Sequence, residues 1–133
     1  MTPDDLKKRT KLFGLRCLKL ADVLPKTRVG MRLGDPLIRS ATSVGANYRA
    51  ACRAKSPSDF INKLRIVEEE CNESLYWLEL IIEAALIRGD RVEDLMAEGK
   101  QILAIIVASA KTARGNAFAA NRAKSLTIVN HQL

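Results

Sequence analysis

"RSATSVGANY", residues 39–48, lies in a stretch that repeats apolar side chains at helical steps yet is filled with weak helix formers. Leu37, Ala41, Val44, Tyr48 and Ala51 follow one another at steps of four, three, four and three, which is one face of an α-helix. Ser40, Thr42, Ser43, Gly45 and Asn47 flank that face. Each reduces helix propensity by roughly a few tenths of a kcal/mol, and Gly45 by about 1 kcal/mol. Small side chains in these places let a neighbouring backbone come close. The composition therefore predicts a helix in tight contact with its neighbours, with Ser43 and Gly45 at the contact.

Three further stripes complete the pattern. Thr2-Pro3-Asp4-Asp5 reads as a helix start: a capping hydroxyl, proline at the first helical position, then acids at the positive end of the helix dipole. Leu6, Thr10, Phe13, Cys17, Leu20 and Leu24 form its stripe, and Pro25 stops it. Residues 25–36, with Pro25, Gly30, Gly34 and Pro36, read as a loop, and Asp35-Pro36 as the cap and first-turn pair of the second helix. Ser56-Pro57-Ser58-Asp59 opens a third helix with an acid at the capping-box position. Its stripe is Phe60, Leu64, Val67, Cys71, Ser74, Leu78, Ile81 and Ala85, with Gly89 as its end. Asp90 and Glu93 read as the cap of a fourth helix whose stripe includes Leu95, Gly99, Ile102, Ile106 and Ala113. Four such helices with short connections predict an all-α fold, an antiparallel up-and-down four-helix bundle over residues 1–117. After Gly115 the periodicity weakens, leaving 118–133 as a C-terminal tail with one short alternating patch at 126–129.

A second apolar row runs beside the seam: Leu75, Ile82 and Leu86 on the third helix, Met96, Leu103 and Val107 on the fourth. It reads either as a broad core-facing arc or as a subunit interface, because a soluble monomer rarely exposes such a row.

Composition narrows the chemistry. The 133 residues carry a net charge of +7, unevenly placed: residues 1–65 hold 15 Lys and Arg against 5 Asp and Glu, and residues 66–133 hold 7 against 10. A basic half of that kind favours an anionic partner, nucleic acid before a membrane surface. No apolar run reaches the roughly 18 residues a bilayer span needs, and the first ten residues lack a signal core, so the expected location is the cytoplasm. Cys17, Cys52 and Cys71 are widely spaced and read as free thiols, not as a zinc site or a disulfide framework. The sole histidine, His131, stands three residues from the end, which leaves no catalytic set to build on it. In "EEECNE", 68–73, Glu70 and Glu73 have metal-ligand spacing, but no histidine follows and no acidic pair on another helix answers them. A solvated or ion-paired face is the simpler reading, and neither a metal nor a cofactor is expected.

With these motifs placed, residues 12–113 resemble the bacterial four-helix-bundle proteins typified by the 23S ribosomal RNA intervening-sequence proteins. That family also includes the accessory variability protein of diversity-generating retroelements. The likeness is most specific in "LIRSATSVGANY", at Leu37, Arg39, Ser40, Ala41, Ser43, Val44 and Asn47. It recurs in "KSPSDFINKLRIVEEECNESLYWLEL", at Ser56, Phe60, Leu64, Ile66, Glu73 and Trp77-Leu78. Ala50-Ala51 departs from the Glu-Gly pair usual in the family. The resemblance implies a homo-oligomer, a pentameric barrel of bundles, that engages nucleic acid without catalysis, in retroelements beside a reverse transcriptase; with it, the second row of Leu75, Ile82, Leu86, Met96, Leu103 and Val107 is the expected subunit interface.

The expected activity is therefore non-enzymatic binding of RNA, or of an RNA–DNA intermediate, through its phosphates, since Lys and Arg are many and aromatics few. Tyr48, Tyr76 and Trp77 lie on or beside apolar stripes and read as core residues. Candidate contacts are Lys7, Lys8, Lys11, Arg16 and Lys19 on the first helix, and Arg49, Arg53 and Lys55 at the end of the second. The competing expectation is a protein–protein adaptor whose basic face meets an acidic partner.

Overall fold

The structure is a computed structural model that describes the backbone of residues 1–132 and the side chains of residues 1–126. Four α-helices and no strand occur among the described residues. The first, α1 (Pro3–Val23), begins as its sequence dictates: the Thr2 hydroxyl accepts from the Asp5 N–H at 3.1 Å while the Asp5 carboxylate accepts from the Thr2 N–H at 2.9 Å. These two bonds form a complete capping box, and they hold the Asp5 carboxyl below its ordinary pKa.

The second helix, α2 (Arg28–Cys52), starts well before Asp35 and passes through Pro36, so residues 28–36 are helix and not loop. Thr27 supplies the cap, its hydroxyl accepting from the Gly30 N–H at 3.1 Å. Pro36 has no N–H to give the Arg32 carbonyl, a defect the helix tolerates because both of its sides are packed. Gly30 and Gly34 are buried against the end of α1, where a Cβ at Gly30 would fall 2.1 Å from the Pro25 carbonyl oxygen. The glycines that read as loop residues are instead the residues that admit the preceding turn.

The third helix, α3 (Pro57–Glu83), is capped by Ser56, whose hydroxyl accepts from the Asp59 N–H at 3.1 Å. The Asp59 carboxylate accepts from the Lys63 ammonium and from the Lys55 N–H, which lowers its pKa. The helix ends at Ala85 and not at Gly89. Ala85 adopts φ 55°, its N–H donates to the Ile82 carbonyl at 2.9 Å, and the Leu86 N–H donates to the Ile81 carbonyl at 3.2 Å. That pair of bonds is a Schellman ending with alanine where glycine is usual. A 3₁₀ turn, Gly89–Arg91, follows, and the Asp90 carboxylate pairs with Arg88 at 2.8 Å instead of capping the next helix.

The fourth helix, α4 (Glu93–Gln132), runs on as one helix through the segment that reads as a tail. Its last buried residue is Ala110. Of the patch at 126–129 only Leu126, which is exposed, falls within the described side chains; residues 127–129 and His131 lie outside them.

Helices adjacent in sequence pack side by side, and α4 closes back on α1. The stripes meet in one core in which Phe13, Leu37, Leu64, Leu78, Ile81, Ile102 and Ile106 are fully buried. Burial of each such side chain stabilises by about 1.5–3 kcal/mol. Of the weak helix formers of 39–48, Ser40 and Gly45 sit where helices touch, whereas the Thr42 and Ser43 hydroxyls donate, in exposed hydrogen bonds, to carbonyls of their own helix. A Cβ at Gly45 would lie 3.4 Å from the Lys11 nitrogen and the Thr10 carbonyl carbon, and one at Gly14 would lie 3.3 Å from the Ala41 oxygen. On the other side of α2 the Ser40 and Ser74 hydroxyls stand 3.1 Å apart, joining α2 to α3 inside the core. Each is also in reach of the carbonyl one turn back, Pro36 for Ser40 and Glu70 for Ser74.

The second apolar row is not a free surface. Leu75 is buried, within reach of the space beside Gly99, and Ile82, Leu86, Met96 and Leu103 are half-buried against the same core. Only Val107 of that row is exposed. Gly99 leaves room for the Leu75 and Phe13 side chains, whose nearest carbons stand 2.9 and 3.0 Å from where a Cβ would lie.

Candidate nucleic-acid interface

The eight cations singled out from the sequence come from α1, from Arg49 in the last turn of α2 and from the connection that follows it, and the structure places six of them in three neighbourhoods. Lys7 and Lys55 stand beside a groove of about 800 Å³ at the end of the bundle, floored by Tyr48, Cys52 and Phe60 and walled by α4. Lys11 and Arg49 flank a shallow trough of about 280 Å³ that runs over the Gly14–Gly45 crossing of α1 and α2. Arg16 and Lys19 face another way, toward the α3–α4 connection, where Arg91 joins them. Lys8 and Arg53 are exposed. Close approach of α1 and α2 is thus what brings Lys11 near Arg49, and the small residues of both helices are what allow it.

Among the described residues, ion pairs engage four cations outside this set. Arg9 donates to both oxygens of Glu98 and to Gln101, tying α1 to α4. Arg39 spans Glu70 and Glu73, tying α2 to α3, and those carboxylates raise its pKa. The acidic run of α3 is therefore ion-paired at Glu70 and Glu73. Lys63 and Arg88 also have carboxylate partners. Of the eight candidates only Lys7 forms an ion pair among the described residues, a long one of 3.8 Å to Asp4. The other seven form no ion pair among the described residues, although Lys8 and Lys55 stand near enough to Asp5 and Asp59 to help lower those carboxyls.

Two leucines interrupt this basic surface. Leu12 and Leu15 of α1 are 55% and 47% exposed. Tyr76, read from the sequence as a core residue, is 53% exposed on α3 with its ring edge-on to Trp77, whereas Tyr48 is buried and Trp77 half-buried. Burial, with a smaller effect of Cys52, pushes the Tyr48 phenol upward. Desolvation pushes the Cys17 and Cys71 thiols up to about 12, so neither is a nucleophile near neutral pH. No cluster of three or more His, Cys, Asp or Glu suited to a metal ion occurs among the described residues. No described helix is long and apolar enough to cross a membrane.

The sequence held a signal that division into halves concealed. All ten acids of the second half lie between Glu68 and Glu98, and no Asp or Glu follows. Lys100, Lys111, Arg114, Arg122 and Lys124 are the charged residues beyond that point.

Residues 5–108 match the family described as 23S rRNA-intervening sequence protein. The fold is similar to the 1.70 Å crystal structure of a protein of unknown function from the S23 ribosomal protein family of Bacteroides thetaiotaomicron. That likeness has a TM-score of 0.77 at 33% sequence identity and covers 84% of this chain and 99% of the other. No curated protein matches the chain significantly. Neither likeness indicates an enzymatic family.

Proposed function

Because the chain belongs to the 23S rRNA-intervening sequence protein family, we propose that it is a non-enzymatic protein that binds RNA, or an RNA–DNA intermediate, by the phosphate backbone. The observation that carries this reading is the gathering of cations around two adjoining depressions: Lys11 with Arg49 at the trough, and Lys55 with the weakly paired Lys7 at the groove. Phosphate contacts position a strand without reading its sequence, so binding has weak sequence preference. Assembly of copies, five in the arrangement the resemblance implies, multiplies the basic face. The apolar surface open to such assembly includes Leu12, Leu15 and Val107. Light scattering should then give five times the 14.7 kDa chain mass. A role beside a reverse transcriptase adds a partner that co-purification would reveal.

Reversal of Lys8, Lys11 and Arg53 to Glu tests the reading. Each phosphate contact contributes about −0.7 on a single strand, or −0.9 on a duplex, to the slope of log affinity against log salt. The triple variant should bind all sequences more weakly by a similar factor and flatten that slope by about 2 on a single strand. Reversal of Lys26, Arg28 and Arg88, at the opposite end of the bundle, should do much less. Equal losses would show that net charge alone drives binding. The exposed Leu12 and Leu15 favour a second reading, a protein adaptor, and wild-type protein that carries and binds no nucleic acid would put that reading ahead.

A further inference from the structure

Beyond Ala110, α4 leaves the core but stays helical. Residues 111–126 extend about 24 Å at 1.5 Å per residue. Ala113, Ala117, Ala119, Ala120 and Ala123 make this arm a good helix by propensity, and it grows from a helix already nucleated in the bundle. Its two sides differ. Ala113, Asn116, Ala117 and Ala120 turn toward the groove at the end of the bundle. Lys111, Arg114, Phe118 and Arg122, at steps of three, four and four, share a face that points elsewhere.

That face is costly to the folded chain. Phe118 is 68% exposed, the second most exposed large apolar side chain among the described residues after Met1. Lys111 and Arg114 stand one turn apart, with Arg122 two turns further on, and no acid occurs anywhere on the arm, so the repulsion between Lys111 and Arg114 has no relief from an i, i+4 carboxylate. A strand of phosphates removes the repulsion, and an unstacked base covers the ring. Cationic side chains interleaved with an exposed aromatic are the combination that single-stranded nucleic acid requires, since every base has a face to stack. Phe118, with the 58% exposed Leu126 two turns on, offers little continuous apolar area for a lipid surface or a protein groove.

We propose that the α4 arm binds single-stranded RNA, with Phe118 stacking on a base and Lys111, Arg114 and Arg122 contacting the flanking phosphates. The inference rests on the nucleic-acid reading above and adds to it a second, separate surface and a preference for single strands.

The test is fluorescence anisotropy of the full-length protein with a 20-nucleotide oligouridine and with a 20-base-pair RNA duplex. Phe118→Ala should weaken binding of the single strand by about 5- to 100-fold, leave its salt slope unchanged and leave duplex affinity unaltered. Phe118→Trp should restore single-strand binding. Reversal of Lys111, Arg114 and Arg122 to Glu should lower the salt slope by about 2. If wild-type protein binds neither probe, both readings fail together. If it binds through Lys11 and Arg53 while the arm variants bind as wild type does, only the arm is refuted. Equal loss on strand and duplex, a change of oligomeric mass in Phe118→Ala, or wild-type binding to phosphatidylserine vesicles that Phe118→Ala abolishes would also overturn it.

Discussion

Gly30→Ala and Gly34→Ala are the same substitution, one turn apart on the same face of α2, and should have opposite effects on stability. A Cβ at Gly30 would lie 2.1 Å from the Pro25 carbonyl oxygen and 3.1 Å from its carbon. The clash is with backbone, in the tight connection between Leu24 and the capping Thr27, so no side-chain rotation relieves it. The connection must retreat by about 1 Å, an overpacking strain of about 1–3 kcal/mol. The Thr27 cap, worth about 1 kcal/mol, is weakened as it moves. Against these stands a gain of about 1 kcal/mol in helix propensity. The net loss is about 2 kcal/mol. At Gly34 a Cβ would meet Leu24 Cδ1 at 3.7 Å and Ala21 Cβ at 3.8 Å, ordinary van der Waals contact. Alanine there gains propensity and buries a methyl, a stabilisation of about 1 kcal/mol. For a chain of this size about 3–5 °C of Tm accompanies each kcal/mol. Calorimetry at one fixed protein concentration should show Gly30→Ala melting about 6–10 °C below wild type and Gly34→Ala about 3–5 °C above it. If Gly30→Ala melts at or above wild type, Pro25 does not pack on that turn, and α2 begins near Asp35 after all.

Four further outcomes follow from the packing and the buried thiols. Ala85→Gly should raise stability by about 1 kcal/mol by removing the left-handed strain at φ 55°, and an unchanged urea midpoint would show the turn to be unstrained. Gly45→Leu should lower stability by about 1–2 kcal/mol, overpacking against the α1 backbone exceeding the gain in propensity, and a higher melting temperature would place position 45 in open solvent. In native protein at pH 8 a chromogenic thiol reagent should modify the half-buried Cys52 and spare Cys17 and Cys71 until the chain is unfolded. Cys17 and Cys71 are raised to about 12 in the folded state, whereas unfolded thiols titrate near about 8.5. Their contribution to stability is thus full below about pH 8.5 and is lost as pH rises toward 12, so the urea midpoint should fall between pH 9 and 11. A flat profile would mean the thiols are solvated.

Most of the bundle was legible in the chain itself. The four-three steps of Leu6 to Leu24, Leu37 to Ala51 and Leu64 to Ile81 are all core in the structure, because a helix has one period and a bundle one interior. Thr2 and Ser56 cap as their local sequences require, since a cap is satisfied within four residues. What failed locally was decided by contacts distant in sequence or by backbone bonding that residue types do not announce. Glycine and proline mark a loop by default, but Gly30, Gly34 and Pro36 lie inside α2 because the end of α1 lies against it. Gly89 was the obvious stop for α3, yet Ala85 takes the left-handed turn, held by two carbonyls of the preceding helix. The wide apolar row on α3 and α4 reads from sequence as an interface, and only the fold shows Leu75 buried and Ile82, Leu86, Met96 and Leu103 half-buried against the core. The same holds for the candidate site. Sequence identified the cations of α1 and α2 as a group, but only the fold shows that Lys11 meets Arg49 across a glycine crossing while Arg16 and Lys19 face elsewhere. Only the fold shows that Arg9 and Arg39 are spent on Glu98, Glu70 and Glu73. Periodicity is a property of one helix and can be read from it; charge neutralisation and close approach belong to pairs of helices, and the chain order does not contain them.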